Sequence, residues 1–453
     1  VYCAYITTLK DVRKHTNADR LQVATVFGND VIVDLTYHAG QRVIYFPTDG
    51  QLSEEFANDN NLVRRKDENG NNIGGYLDPD KRNITALKLR GEKSDGLILP
   101  IEVLSKYIDI NELHDGDQVT ILNGHEICKK YIPRRQTRQG STGAGNRTRK
   151  HKEPVAPLFA EHADTEQLAY NLSAFKPGDQ IEITLKMHGT SQRTGRLPIF
   201  KGYKRTFGDK LFRRKGTPIY DWGYVSGTRR VVLDDFEGGY YGSNHFREQH
   251  SKFFEGKLQK GETVYYEVVG FTDSGVPIMS SVPNKRTGDK EFIKQYGQET
   301  TFSYGCTPDG KDAPQSDFYV YRMTMTNEDG FVVEYTPDFM RYRCEQMGCK
   351  CVPEFYKGYI KEYDLVPEVV DEDSELKTAG EYSKELAEVF YDGPDPVGKS
   401  HVREGVVVRI VNRPKFTAYK HKNFSFKCLE GIAKADAAAP DMEEAQEETA
   451  EGE

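Results

Sequence analysis

The chain has 453 residues, 37% of them apolar, with 41 glycines and a formal net charge of −8 at pH 7. That length and apolar content suffice for two or three domains with buried cores and exclude wholesale disorder. No apolar run approaches the roughly 18–20 residues of a membrane-spanning helix, so an integral membrane protein is excluded as an expectation. The opening residues, VYCAYITTLKDV, have no basic start followed by an apolar stretch, and no signal peptide is expected. Seven cysteines, an odd number, do not make a disulfide scaffold and point to a reducing, cytoplasmic compartment. Charge is separated along the chain. Residues 434–453 hold eight acids and one lysine, whereas residues 134–153 hold seven bases and one acid. A basic segment in a near-neutral body suits a polyanionic partner, with a solvated linker as the alternative.

Residues 1–132 read as β-rich. Strand-like runs occur at Leu21–Val26, 31–34 and Arg42–Phe46, and further strands are expected at 84–89, 96–99 and 118–122. Many short strands with glycine-rich turns predict a small closed barrel, because closure removes exposed edges. The run from Asn17 to Leu21 leading into a strand, followed later by Leu89-Arg90-Gly91 and Ser94-Asp95-Gly96-Leu97, resembles the OB-fold modules that bind structured RNA. The polar stretch 58–75 reads as a mobile loop on this barrel. Residues 133–155, without apolar periodicity, read as a basic flexible linker.

Residues 156–432 alternate strands with a few helices, an α+β pattern. Helical spacing of Phe246, Phe253, Phe254 and Leu258 predicts a helix over 245–258, stopped by Gly261. Thr336 caps a second helix with Pro337 at its first position and Gly348 beyond its end, and a third is expected over 381–391. Apolar strands are expected at Gln180–Lys186, 263–270, 318–324 and 405–411. The acidic tail, 433–453, lacks aromatic residues and reads as disordered.

Lys186 ends an apolar strand beside the turn His188-Gly189-Thr190, which predicts an amine in a cleft, available as a nucleophile. Further on, Glu267 lies within the apolar strand Val264–Gly270, Glu404 immediately precedes another, and Lys420 and Lys422 share one face of an extended segment. Lysine, acid, acid and lysine pair suit nucleotidyl transfer. Two carboxylates can hold Mg²⁺ through oxygen or water, and two lysines can neutralise charge building on a phosphate.

In this order the motifs resemble those of the ATP-dependent RNA ligases, within the covalent lysyl-nucleotidyltransferase superfamily. They comprise Lys186-Met187-His188-Gly189-Thr190, the strand bearing Glu267, Phe318-Tyr319-Val320-Tyr321, Glu404-Gly405-Val406-Val407, and Lys420 with Lys422-Asn423, Phe426 and Lys427. The subgroup resembled has an N-terminal OB module and an antiparallel-sheet-rich catalytic domain. The resemblance implies that Lys186 takes AMP from ATP as a phosphoramidate, and that Tyr321 stacks on the adenine. It implies that Glu267 contacts the ribose or a metal-bound water, that Glu404 binds a catalytic Mg²⁺ or Mn²⁺ through water, and that Lys420 and Lys422 contact the α-phosphate. His188 and Gly189 join the nucleotide site. His188 stands where DNA ligases carry aspartate, and it reads equally as a turn-stabilising residue. An arginine contacting the nucleotide is expected at Arg229 or Arg230, with Arg205 as the competitor. Ser191 replaces the asparagine that some RNA ligases carry there.

The partner implied is RNA, as a nicked duplex or an RNA/DNA hybrid, and the protein is read as a monomer in RNA repair. The rival readings are a DNA ligase, a capping-type nucleotidyltransferase, or a nucleic-acid-binding protein with an inactive transferase domain. Cys344, Cys349 and Cys351 cluster near a helix end with no standard zinc spacing, and are expected to be reduced thiols. The long polar segment 272–317 reads as a surface loop, with a hairpin touching nucleic acid as the alternative.

Overall fold

The computed structural model describes residues 2–71, 73–133, 154–233, 236, 245–366 and 376–435. Of the expected basic linker 133–155, residues 134–153 lie outside the described residues, as does the expected acidic tail 433–453 from residue 436 on; residues 433–435 instead end the helix Phe424–Ala435, where Lys434 is buried. The chain forms two compact units. One draws on Val1–Arg135, Val282–Glu299 and Phe424–Ala439, and the other on Gln136–Ser281 and Thr300–Asn423.

In the first unit the strands Leu97–Pro100, Arg42–Phe46, Ala4–Thr8 and Gln118–Val119 form a sheet in that order. Asp11–Lys14, Leu21–Val26 and Asn29–Asp34 form a separate meander, and Cys128–Lys130, Gly50–Leu52 and Asn83–Ile84 a third sheet. The expected ring closure is not what these ladders make: among the described residues they remain separate sheets. The physical reason is strand length. Two- to six-residue strands leave little edge to protect. The core instead gathers Ala4, Ile6, Ile44, Phe46, Leu52 and Phe56, all fully buried. Nor is the polar stretch 58–75 simply a loop on the surface. Leu62 and Val63 enter that core, and Val63 bridges Leu77.

The second unit is α+β, with two sheets that are antiparallel but for one short pair. The five-stranded sheet runs Glu166–Gln167, Ala418–Lys422, Gly405–Ile410, Gln180–Lys186, Glu354–Tyr359. The first pair in that order is parallel. The six-stranded sheet runs Val232–Leu233, Thr217–Gly227, Thr190–Lys204, Glu262–Gly270, Ser316–Thr326, Val332–Glu334. The chain passes from one sheet to the other through Met187, His188 and Gly189, directly after Lys186.

Strand periodicity separates core from chemistry in the five-stranded sheet. Ile181, Ile183 and Leu185 pair with Ile410, Val408 and Val406, and this apolar face packs with Ala379 and Ala387 of the helix Ala379–Phe390. The opposite face carries Lys186, which pairs with Gly405. Gly405 in turn pairs with Lys422, and Val407 with Lys420. His421, between the two lysines, points to the core side. There it stacks on Tyr391 with ring centroids 5.0 Å apart, and its Nε2 lies 3.0 Å from Glu388 Oε1. Burial opposes the charge on Glu388, yet hydrogen bonds from His421 and Lys384 hold its carboxyl at about 2.

The helices follow their caps. The Thr336 hydroxyl accepts the Phe339 N–H, Pro337 opens the helix Pro337–Met347, and Gly348 closes it at φ 73°. The helix His245–Phe253 is shorter than its apolar spacing predicts; Leu258 is still buried, but on turns. No helix among the described residues is long and apolar enough to cross a membrane.

Gly405 is the tightest point of the lysine-bearing sheet. Its φ is 153°, and a methyl group there would lie 2.1 Å from the His421 carbonyl oxygen. Gly405→Ala is therefore expected to destabilise the chain by about 2 kcal/mol or more in urea unfolding. A change under about 0.5 kcal/mol, the range of an ordinary surface substitution, would show that the strands adapt without strain.

Candidate active site

Three strands bring three charged side chains together. Lys186 ends one strand, Glu404 precedes the next, and Lys422 ends the third, in direct cross-strand register at Gly405. The Glu404 side chain is 1% exposed. Its Oε1 lies 2.8 Å from Lys186 Nζ and 3.4 Å from Lys422 Nζ. Lys186 and Lys422 are themselves mostly buried, at 19% and 13% exposed. Two ammonium groups thus share one carboxylate, leaving positive charge in a partly dehydrated site, where it acts more strongly than in water. Lys420 lies two residues before Lys422 on the same strand face.

Glu404 Oε2 is buried and accepts no hydrogen bond among the described residues; His188 Nδ1 lies 3.6 Å from it. A carboxylate oxygen without a hydrogen-bond donor keeps hard oxygen lone pairs of the kind a divalent cation or its water takes, so the chemistry of this donor fits Mg²⁺ or Mn²⁺. Among the described residues no cluster of three His, Cys, Asp or Glu side chains is arranged for a metal. Substrate oxygens and water would have to supply most of the remaining ligands.

Glu267 does different work. Its Oε1 accepts the Gly189 N–H and its Oε2 the Ser191 hydroxyl, each at 3.1 Å. It therefore clamps the turn after Lys186. A side chain at Gly189 would meet the Val268 carbonyl oxygen at 2.4 Å, so only glycine lets the turn approach this strand. Arg247, fully buried, adds a second clamp: it donates to Thr190 Oγ1 at 2.6 Å and to the Ser191 carbonyl at 3.3 Å.

Tyr321 sits at an irregularity in its strand. Tyr266 pairs with Val320 and Tyr265 with Arg322, so Tyr321 is the extra, bulged residue. Bulges re-aim side chains and recur beside functional sites. The Tyr321 ring meets His162 edge-on at 5.5 Å, and the His162 N–H donates to the Arg229 carbonyl. Arg229 and Arg230 both reach Asp164, at 3.5 and 3.4 Å. Arg229 is thereby tied to the surroundings of Tyr321. Arg205 is not: it lies just beyond the strand Thr190–Lys204, at the end far from Lys186, exposed and bonded to the Lys215 carbonyl.

Four residues of this neighbourhood carry no sequence motif. The His188 N–H donates to the Tyr304 hydroxyl at 2.6 Å, and the His188 ring meets Phe302 at 4.6 Å. His401 packs edge-on against both Tyr304 and Phe302. Tyr304 has φ 48°, a strained value for an aromatic residue. The segment 272–317 is therefore more than a surface loop, because Phe302 and Tyr304 are buried and hold the turn after the lysine. Asp395 is fully buried: one oxygen accepts the Val397 N–H, and the other has no hydrogen-bond partner among the described residues. Burial pushes its carboxyl up to about 7 and pushes the His401 ring down to about 4.

The three clustered cysteines are free thiols. Contacts with Cys349 and Cys351 hold the Cys344 thiol well above its usual range.

Asp395 makes a sign-specific prediction. Its folded-state value is raised above the ordinary 3.8 to about 7, so the folded chain keeps a proton that the unfolded chain releases. Stability should fall as pH rises from about 4 to about 7, by up to about 4 kcal/mol from this group, and level off above. In Asp395→Asn that part of the fall should vanish, as read by urea unfolding across the pH range; an unchanged profile would show the carboxylate to be solvated.

No protein-family model matches this sequence, and no curated protein matches it. Solved structures do. The chain superimposes on the Naegleria gruberi RNA ligase with pyrophosphate at a TM-score of 0.54 and 16% identity, covering 93% of this chain and 97% of that one. A glutamate-to-alanine variant of that ligase with ATP and manganese gives 0.53 and 16%, over 94% and 98%. A lysine-to-alanine variant with the same ligands gives 0.52 and 16%, over 94% and 98%. Over nearly its whole length, this chain has the fold of those RNA ligase structures.

Proposed function

We propose that the protein is an ATP-dependent RNA ligase, joining RNA 3′-OH and 5′-phosphate ends through a lysyl-AMP intermediate. One observation carries this reading: Lys186, at the crossing between two sheets, shares Glu404 with Lys422 across three registered strands. The shared fold supports it, since the matched structures are RNA ligases with ATP, manganese or pyrophosphate.

The chemistry is three in-line displacements at phosphorus. The Lys186 ammonium first loses a proton to water, and the neutral amine attacks the α-phosphorus of ATP. The N–P bond forms, the bond to pyrophosphate breaks with its electron pair leaving on the pyrophosphate oxygen, and the nitrogen gives a second proton to water or to the departing pyrophosphate. An RNA 5′-phosphate oxygen then attacks the same phosphorus, freeing Lys186 and forming a 5′-adenylylated end. Finally the 3′-OH attacks the 5′-phosphorus and releases AMP. Lys420 and Lys422 offset the charge gained at the α-phosphate. Gly189, clamped by Glu267, sets the approach of the nucleotide, and His188 lines it. Tyr321 offers a ring to the adenine, and Arg229 or Arg230 a guanidinium to the nucleotide. Glu404 would hold Mg²⁺ or Mn²⁺, directly or through water, joined by Glu267 through water; the cation supplies charge neutralisation on the phosphates. Residues 1–132 serve as an OB-like nucleic-acid-binding module and 156–432 as the catalytic domain, apart from 282–299 and 424–432, which group with the first unit; the basic linker joins the two. The protein acts as a monomer in the reducing cytoplasm, on nicked duplex RNA or an RNA/DNA hybrid, in RNA repair.

Incubation with α-labelled ATP and Mg²⁺ should transfer label to the protein on a denaturing gel, whereas labelled GTP should not. Lys186→Ala should abolish the label, and Lys420→Ala or Lys422→Ala should slow its appearance about 100-fold. Sealing should require a ribose at the 3′-OH end. Absence of label on the wild-type chain would overturn the proposal, as would full labelling of Lys186→Ala.

A further inference from the structure

The strand Thr190–Lys204 pairs with Glu262–Gly270 only through Thr190–Gly195. From Leu197 to Lys204 its strand ladder is with residues 217–223 alone; on the other edge the Phe200 N–H donates to the Val155 carbonyl at 2.7 Å, and Leu197 and Ile199 pack with Ala156 and Phe159 at the base. A two-stranded ribbon therefore continues beyond the six-stranded sheet for eight residues, roughly 25 Å at strand rise. Isolated ribbons have little core to hold them, and here an aromatic cluster helps: Phe200 meets Tyr203 at 5.1 Å and Tyr220 at 5.8 Å.

The end of this ribbon has an unusual composition. Residues 201–215 carry seven bases and one acid. Lys201, Lys204, Arg205, Lys210, Arg213, Arg214 and Lys215 are all exposed. The acid, Asp209, is already engaged: its carboxylate accepts the Thr206 N–H at 2.9 Å, while the Thr206 hydroxyl caps the short helix Phe207–Leu211 by accepting the Asp209 N–H. Among the described residues Lys204, Lys210, Arg213 and Arg214 are in no ion pair. Between these charges stand Phe207, 83% exposed, and Phe212, 68% exposed, with Arg214 over the Phe212 ring at 5.6 Å.

Leaving two large rings in water is costly unless something covers them, and scattered cations around the rings exclude a second apolar protein face. Phosphates spaced along a strand, with bases offering flat faces, match both features at once.

We propose that this arm is an RNA-binding finger. Its lysines and arginines grip the phosphodiester backbone, and Phe207 and Phe212 stack on unpaired or terminal bases beside the break. The choice of RNA over other single strands rests on the ligase reading; the binding surface itself does not.

The test compares wild type with Lys210→Ala/Arg213→Ala/Arg214→Ala and with Phe207→Ala/Phe212→Ala, using fluorescence anisotropy of a labelled single-stranded RNA over a salt series. The triple variant should bind at least about tenfold more weakly at low salt. Its log-affinity slope against log salt should be shallower by about 2, near 0.7 for each lost phosphate contact. The double variant should bind more weakly with an unchanged slope, because stacking releases no counterions. Self-adenylylation with ATP alone, which needs no RNA, and the melting temperature should stay at wild-type values in both. If the triple variant binds RNA with the wild-type affinity and slope while the wild type takes AMP, the finger is refuted and the ligase reading stands. If the wild type takes no AMP yet the triple variant loses RNA, the finger stands and the ligase reading falls.

Discussion

One buried carboxylate organises the second unit. Glu404 is nearly inaccessible to water, and such a charge persists only when cations compensate it. Lys186 and Lys422 supply that compensation from two different strands. The contact fixes both amines before any substrate arrives. The same arrangement leaves a surplus of positive charge where a polyphosphate would sit, and it keeps one Glu404 oxygen without a donor. Preorganised charge of this kind needs no rearrangement when negative charge develops, which is why it is effective in phosphoryl and nucleotidyl transfer.

Around this contact the backbone is arranged so that few alternatives exist. Lys186, Gly405 and Lys422 form one row across three strands, and a register slip of one residue would turn the lysines toward the apolar face. The turn after Lys186 is held from several sides. Glu267 takes the Gly189 N–H and the Ser191 hydroxyl, Tyr304 takes the His188 N–H, and Arg247 ties Thr190 and Ser191. Lys186 thus stands at a junction whose backbone hydrogen bonds are made by side chains distant in sequence.

The sequence reveals the parts of the site that rest on local pattern. Lys186 before His188-Gly189-Thr190, Glu404 before an apolar strand, and lysines two apart on an extended segment are all visible as spacing, and the structure assembles them. Tyr304, Phe302, His401 and Asp395 are not visible in this way. They stand in irregular polar segments: Tyr304 and Phe302 contact His188, His401 packs on both, and the Asp395 N–H donates to the His401 carbonyl, contacts that only the tertiary fold creates. Arg247 is hidden for a related reason: an arginine beside Phe246 in an amphipathic run looks like a solvated position, yet it is fully buried. In the first unit, short strands and glycine turns are legible, but how the sheets join depends on non-local pairing that local propensity does not encode. The inclusion of residues 282–299 and of the helix Phe424–Ala435 in that unit has no sequence signal at all.

The central claim concerns a single nitrogen. Tandem mass spectrometry of the wild-type chain, after incubation with ATP and Mg²⁺ and digestion under mildly basic conditions that preserve phosphoramidates, locates the AMP group directly. The account predicts one AMP, on the Nζ of Lys186, removed by added pyrophosphate with regeneration of ATP. AMP found on Lys420 or Lys422 instead, or on no lysine of the chain, would contradict it.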